Sequence, residues 1–170
     1  LFGFTFMVWE YLFYDMRKRK KKYDFSKAIL IHSGGWKKLI DRAVDNETFK
    51  FSIEKLCGIK KIHNFYGMVE QVGSVYVECE EGVLHAPSFS DIILRNPKNW
   101  EQINSFNKKG VIETISVLPR SYPGHAILTE DEGMILGIDD CKCGRKGKYF
   151  KIIGRLPKAE MRGCSDTHER

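Results

Sequence analysis

The spacing of apolar residues changes near residue 72, and this change predicts an α/β front followed by a mostly β region. Before it, the apolar run 28–32 indicates a buried strand, which leads into a Gly-containing turn at 33–36 and a helix that ends near Ala43. After it, three segments alternate between apolar and polar residues, as half-buried strands do: 75–79, 90–94 and 110–118. The fold class predicted is therefore α/β.

The remaining segments complete this division. We predict helices at 6–22 and 49–57, strands at 61–66 and 148–153, and a loop at 119–124. The basic run 17–22 suits a helix C-terminus; it fits a solvated helix end or a phosphate or partner patch. We expect three parts: an α/β part (1–71), a mostly β subdomain (72–156), and a tail (157–170).

Composition restricts the function only loosely. The chain has 170 residues, 42% hydrophobic and 29% charged, which is typical of one globular domain or the core of one. The net charge of +6 favours anionic ligands, but no nucleic-acid-binding module or patterned basic patch is present. The apolar run 1–9 is too short to span a bilayer, and its positive charges follow it, unlike those of a signal peptide. We expect it to be buried core in a chain that begins within a domain.

Four Cys and His residues form a candidate metal site. Cys79 and His85 are six positions apart, and Cys141 and Cys143 are separated by one residue just before a glycine. With no secretory signal, reduced thiols are expected, and three thiolates with one imidazole are a ligand set that zinc accepts. Four protein ligands would leave no open position, which favours a structural ion. Four unlinked residues are the alternative.

Five short segments have residue types suited to nucleotide or acyl chemistry. They are 33–36 (Ser-Gly-Gly-Trp), 66–70 (Tyr-Gly-Met-Val-Glu), 129–133 (Thr-Glu-Asp-Glu-Gly), 154–155 (Gly-Arg) and 162–167 (Arg-Gly-Cys-Ser-Asp-Thr). Glycine allows close backbone approach to a ligand, an aromatic ring can stack on a base, and a carboxylate can hold Mg²⁺ or accept hydrogen bonds from a ribose diol. Taken singly and in order, the segments also fit a helix-entry turn, a strand-end turn, a solvated acidic loop, a surface arginine and an exposed tail cysteine.

In this order, the segments resemble the C-terminal part of the large domain of an adenylate-forming enzyme, and segment 162–167 narrows the resemblance to the LuxE-type acyl-protein synthetases of bacterial fatty-acid reductase complexes. The resemblance implies that ATP and Mg²⁺ are bound here. The residues assigned to the nucleotide and its metal are Gly34 and Gly35 (adenine pocket), Tyr66 and Gly67 (base and phosphate), Glu70 (Mg²⁺), Asp131 (ribose) and Arg155 (ribose or phosphate). Related aryl-CoA ligases hold zinc with a similar Cys/His set.

The resemblance also implies an acyl acceptor and partners. Cys164 matches the cysteine that carries the acyl group as a thioester, and His125 matches a histidine that polarises the acyl carbonyl or positions Cys164; a packed or loop histidine is the alternative. A cytoplasmic enzyme would activate a long-chain fatty acid and deliver it to an acyl reductase, within a complex that also contains an acyl transferase. Luminescence and other aldehyde-using pathways both stay open.

The sequence departs from the family pattern in three places. Val69 replaces a hydroxyl residue, Glu130 replaces a glycine, and no Ser/Thr/Gly-rich phosphate loop is found. We therefore expect these 170 residues alone not to adenylate a fatty acid. Two other functions remain open: a phenylacetate-type aryl- or acyl-CoA ligase, and nucleotide binding without turnover.

Overall fold

The computed structural model describes residues 1–20, 23–120 and 123–156. It separates into two compact units, the first containing Leu1–Phe65 and the second beginning at Tyr66 and containing the described residues that follow. The described helices are all too short or too polar to cross a membrane.

The first unit contains a parallel sheet and short helices. Its strands are β1 (Phe2–Phe4), β2 (Ile29–Ser33) and β3 (Lys61–Tyr66), and β2 pairs in parallel with both of the others. Its helices are α1 (Thr5–Met7), a π-helical stretch (Val8–Tyr14), α2 (Asp15–Arg19), a 3-10 turn (Lys37–Arg42) and α3 (Asn46–Cys57). The predicted strands at 28–32 and 61–66 and the helix at 49–57 are confirmed.

Helix α3 has clear local signals at both ends. Asp45 caps its start, because Oδ1 accepts a hydrogen bond from the Thr48 backbone N–H at 2.7 Å. Gly58 ends it with a φ of 79°, a left-handed conformation that glycine adopts without strain. The predicted helix at 6–22 is helical over 5–19, and residues 21–22 lie outside the described ranges.

Helix α3 buries one face in the core of the first unit. Phe49, Ile53 and Cys57 are spaced four residues apart and are almost fully buried, as expected for one side of an α-helix. The Phe49 ring packs against Trp9 with ring centroids 5.4 Å apart. Full burial of such a side chain contributes roughly 1.5–3 kcal/mol. The prediction that the whole run 1–9 is core was wrong, because Phe2 is 75% exposed.

The second unit is an antiparallel sheet with the strand order β4-β5-β9-β8-β7-β6. The strands are β4 (Tyr76–Glu78), β5 (Leu84–His85), β6 (Ser90–Arg95), β7 (Lys109–Ser116), β8 (Ala126–Ile138) and β9 (Lys148–Arg155). The strands predicted at 75–79, 90–94, 110–118 and 148–153 are confirmed. β5 and β8 were not predicted, although β8 is the longest strand described.

Aromatic and aliphatic side chains form the core of this sheet. Tyr76 and Phe150 pack edge to face with centroids 5.5 Å apart, and Ile112 is fully buried beside them. At Gly133 of β8, a Cβ atom would lie 2.5 Å from Ile112 Cδ1. A glycine is therefore required there for β7 and β8 to keep their observed packing.

Candidate nucleotide and metal sites

Three predicted nucleotide residues of the second unit are in direct contact. Tyr66 stands at the end of β3, while Asp131 and Arg155 are register partners on β8 and β9. The Tyr66 hydroxyl donates a hydrogen bond to Asp131 Oδ2 at 2.8 Å, and Arg155 Nε lies 3.5 Å from Asp131 Oδ1. These residues are 24 to 89 positions apart in the chain. The fold brings these three side chains together, and their nucleotide roles stay a prediction.

The environment keeps the Tyr66 phenol protonated. Burial raises its pKa, and the negative charge of Asp131 and the hydrogen bond to that carboxylate raise it further. The hydroxyl is therefore a donor at neutral pH. Asp131 is only partly buried, since 22% of its side chain is exposed, so the carboxylate keeps some contact with solvent.

The segment 129–133 has a different local structure from the expected turn or solvated loop. It lies within β8, and Glu132 pairs with Gly154 of β9. The Thr129 hydroxyl donates to the Ile112 carbonyl at 2.7 Å and accepts from the Asp131 backbone N–H at 3.2 Å. With Glu130 in place of glycine, the backbone is extended, and the ladder with β9 places Asp131 opposite Arg155.

Gly67 and Glu70 follow β3 directly. Val69–Gln71 form a 3-10 turn in which the Glu70 side chain is exposed and Val69 is 67% exposed. An exposed carboxylate at this position is accessible to a hydrated cation.

Gly34 and Gly35 belong to the first unit and follow β2. Gly34 has a φ of +84°, which favours glycine, and a Cβ added at Gly35 would meet nothing within 4 Å. The backbone therefore has open space beside it at Gly35, whereas a Cβ at Gly34 would contact Phe4 Cδ1 at 3.4 Å.

The four candidate metal ligands converge in the second unit. Cys79 follows β4, His85 lies in β5, and Cys141 and Cys143 lie between β8 and β9. Their ligand atoms all lie within 4.8 Å of one another. Tight turns shape the two cysteine segments, with backbone hydrogen bonds from Gly82 to Cys79 at 3.0 Å and from Gly144 to Cys141 at 2.9 Å.

The distances within this cluster fit a tetrahedral ion. Cys79 Sγ and Cys141 Sγ are 4.0 Å apart, and Cys143 Sγ is 3.4 Å from His85 Nε2. Zinc–sulfur and zinc–nitrogen bond lengths in a regular tetrahedron give about 3.8 Å between two sulfurs and about 3.6 Å between sulfur and nitrogen. The residues present therefore fit a four-coordinate metal ion.

Burial sets the protonation of the cluster. It raises the pKa of the Cys141 thiol to about 11. It also lowers the pKa of His85, helped by the positive charge of Arg145, so the imidazole is neutral as a metal ligand must be. The pKa of Cys143 is lowered overall. Burial acts to raise it, but hydrogen bonds from the Arg145 backbone N–H and from the other thiols stabilise the thiolate and outweigh burial.

Tyr149 and Gly137 support the histidine. The Tyr149 ring stacks on His85 with ring centroids 5.7 Å apart. The pKa of the Tyr149 phenol is raised chiefly by a hydrogen bond to Asp140. At Gly137 a Cβ atom would lie 2.5 Å from the Tyr149 hydroxyl and 2.6 Å from Asp140 Oδ1. The glycine leaves room for this pair. The sequence analysis missed these three residues, because none carries a metal-ligand pattern.

Of the two predicted acyl-site residues, the structure describes only His125. His125 is exposed, just before β8, and its backbone carbonyl accepts a hydrogen bond from the Ser116 N–H at 2.8 Å. Cys164 and the rest of the tail at 157–170 lie outside the described residues. The acyl-acceptor assignment of Cys164 stays a prediction.

Solved structures share this fold. A 2-hydroxyisobutyryl-CoA ligase, solved in an open conformation in complex with 2-HIB-AMP and CoA, matches at a TM-score of 0.71 and 17% identity, over 92% of this chain and 36% of that one. A long-chain-fatty-acid-CoA ligase from Archaeoglobus fulgidus matches at 0.59 and 14%, over 91% and 34%. McyG A-PCP complexed with phenylalanyl-adenylate matches at 0.58 and 13%, over 92% and 30%.

The chain spans about a third of the length of these proteins, and the likeness establishes that it shares the fold of part of each of them. A search of curated protein sequences gave no significant match. The family model described as acyl-protein synthetase, LuxE, matches residues 1–170. The chain therefore belongs to the LuxE acyl-protein synthetase family.

Proposed function

We propose that this chain is the nucleotide-binding part of a ligase that activates a long-chain fatty acid with MgATP and transfers it to Cys164 as a thioester. The observation that carries the proposal is the contact between Tyr66, Asp131 and Arg155, in a chain that belongs to the LuxE family along its whole length. A CoA ligase of the same fold would share the nucleotide residues, so Cys164 is the distinguishing element.

The nucleotide assignment follows from the chemistry of these side chains. A ribose diol can donate two hydrogen bonds to the Asp131 carboxylate, and the Arg155 guanidinium can interact with ribose or phosphate oxygens. Tyr66 offers its ring to adenine, with Gly67 next to it, and Gly34 and Gly35 line the adenine pocket by resemblance. Glu70 would hold Mg²⁺, which balances charge on the phosphates.

The reaction consists of two displacements. A carboxylate oxygen of the fatty acid attacks the α-phosphorus of ATP, and pyrophosphate leaves. The Cys164 thiolate then attacks the acyl carbonyl, the bond to AMP breaks, and a thioester forms. We assign His125 to the acyl site, where it would polarise the carbonyl or position Cys164. An acyl reductase would then take the acyl group.

We also propose that Cys79, His85, Cys141 and Cys143 hold a structural zinc ion. Two of the ligand–ligand distances, 4.0 Å between Cys79 and Cys141 and 3.4 Å between Cys143 and His85, are close to those of a closed tetrahedral site, and such a site has no open position for substrate. Its effect would be to hold the strand ends β4, β5, β8 and β9 together.

Intact-mass spectrometry of the complete enzyme tests the function. After incubation with MgATP and a long-chain fatty acid, we expect an acyl adduct that hydroxylamine removes and that Cys164→Ser lacks. An adduct that persists in Cys164→Ser would refute the acceptor assignment. Absence of an adduct, with acyl-CoA formed once CoA is added, would assign a CoA ligase. Nucleotide binding without either product would leave a nucleotide-binding protein.

A further inference from the structure

Gln71 is a buried polar residue at the end of the turn that carries Glu70. Only 1% of Gln71 is exposed, whereas Glu70, its neighbour, is exposed to solvent. The sequence analysis gave it no role, since a glutamine after a turn is usually a surface residue. Its burial therefore requires an explanation from its contacts.

The Gln71 amide joins two other segments of the second unit. Its Nε2 donates hydrogen bonds to the Gly124 carbonyl at 2.8 Å and to the Thr114 carbonyl at 3.3 Å. Gly124 directly precedes His125, and Thr114 lies in β7. The side chain thus connects the Glu70 turn to the backbone that leads to His125.

This connection contributes little to folding alone. Gln71 Oε1 is buried and has no hydrogen-bond partner among the described residues. Leaving a buried acceptor unpaired destabilises the folded state and offsets much of what the two donated bonds contribute. The segment that follows the turn has its own bond to β7, because the Ser74 hydroxyl donates to Ser116 Oγ at 2.7 Å. This bond does not involve the Gln71 side chain.

We propose that Gln71 is a positioning residue that fixes the Glu70 turn relative to the backbone before His125. This rests on the proposed function, in which Glu70 serves the metal on ATP and His125 serves the acyl group. The two donors of one planar amide point to two carbonyls, so the side chain fixes both segments at once. A side chain of similar length without donors would keep the packing but lose the connection.

The test compares Gln71→Met with Gln102→Met, a control at an exposed glutamine, both in the complete enzyme. The first readout is amide hydrogen exchange, which needs no activity. In Gln71→Met we expect about tenfold faster exchange at Ser116, whose N–H binds the His125 carbonyl, and at residues 124–126, which corresponds to about 1.4 kcal/mol. Exchange in β4 and β9 should stay unchanged.

The second readout is ATP–pyrophosphate exchange driven by the fatty acid. We expect the Mg²⁺ concentration for half-maximal rate to rise at least about fivefold in Gln71→Met, while Gln102→Met matches the unchanged enzyme. If Gln71→Met does not fold, Gln71→Asn and Gln102→Asn replace the pair, because the shorter amide reaches only one carbonyl.

Three outcomes would overturn the positioning role. They are unchanged exchange at Ser116 and 124–126, faster exchange throughout the second unit, and local loosening with an unchanged Mg²⁺ requirement. If the unchanged enzyme itself shows no pyrophosphate exchange, the proposed function fails instead, and hydrogen exchange still decides whether Gln71 fixes the two segments.

Discussion

Two proposed clusters of the second unit differ in how far their side chains already have partners. Both gather side chains that are far apart in sequence: the metal cluster consists of Cys79, His85, Cys141 and Cys143, and the nucleotide cluster of Tyr66, Asp131 and Arg155. The metal cluster is mostly buried, its four ligand atoms lie within 4.8 Å of one another, and His85 Nδ1 has no hydrogen-bond partner among the described residues. The nucleotide cluster is half exposed, and Asp131 is already paired with Tyr66 and Arg155.

This difference implies different dependence on a ligand. Thiols crowded in a buried site gain their main interaction only when a metal binds, so the ion contributes to the stability of the fold. Asp131 already has hydrogen-bond partners, and its ligand is expected to alter affinity and rate more than stability. Substitutions that affect stability in one cluster and nucleotide affinity in the other would support the comparison.

The largest effect is expected from Cys141→Ser. It removes one of four ligands, so metal content should fall well below one zinc per chain, and the free energy of unfolding should fall by about 3 kcal/mol or more. Cys57→Ser is the matched control: Cys57 is also buried, but it lies in the first unit and binds the Ile53 carbonyl. Elemental analysis and denaturant unfolding measure both quantities. Full zinc content in Cys141→Ser would exclude the proposed coordination.

Asp131→Asn should give the next largest effect, on nucleotide affinity more than on stability. The substitution removes the negative charge that pairs with Arg155 and replaces one carboxylate oxygen, a proposed acceptor for ribose, with an amide NH₂. Hydrogen bonds to charged groups contribute about 1.5–3 kcal/mol. We expect ATP to bind at least tenfold more weakly to the complete enzyme by calorimetry. Glu130→Gln is the control, since Glu130 also binds Arg155 but is 56% exposed. An equal loss in both variants would indicate that only the charge near Arg155 matters.

Gly137→Ala should have an intermediate effect, confined to the metal cluster. The added methyl group would collide with the Tyr149 hydroxyl, and the ring stacked on His85 would have to move. Outer partners of a ligating histidine typically change metal affinity by about 10–100-fold. Gly154→Ala is the control, because a Cβ there meets nothing within 4 Å. Competition with a chelator measures the affinity, and equal zinc affinity in the two variants would show that Tyr149 does not orient His85.

The sequence predicts which cysteine and histidine side chains lie together better than it predicts local backbone conformation. Cys79, His85, Cys141 and Cys143 were grouped because thiols and imidazole are uncommon and their chemistry is specific, and their ligand atoms do lie within 4.8 Å of one another. Segment 129–133 was not expected to be a strand, since three acidic residues in five are unfavourable in isolated strands. Pairing with β9 outweighs that preference, because Arg155 neutralises charge from Glu130 and Asp131.

Long-range packing explains the other differences. Gln71, Tyr149 and Gly137 act through residues that are distant in sequence or on another strand, so no local pattern marks them. Burial of residues 1–9 was overestimated because a run of apolar residues does not reveal which side of each element is covered: Phe2 in strand β1 is exposed, while Trp9 in the π-helical stretch is buried. Pattern reasoning identifies the element but not its packed side.

The smallest effect is expected from Tyr66→Phe, which removes only the hydroxyl. The ring that would stack on adenine remains, and Asp131 keeps Arg155, so ATP affinity should fall by about three- to tenfold, as one hydrogen bond contributes roughly 0.5–1.5 kcal/mol. Tyr76→Phe is the control, because its hydroxyl donates to the Asp91 carbonyl at 3.2 Å, away from the cluster. Both variants should lose similar stability, but only Tyr66→Phe should weaken ATP binding. If neither variant, or both variants, bound ATP more weakly, the Tyr66–Asp131 hydrogen bond would serve the fold and not the nucleotide site. The contrast between the two clusters would then be refuted.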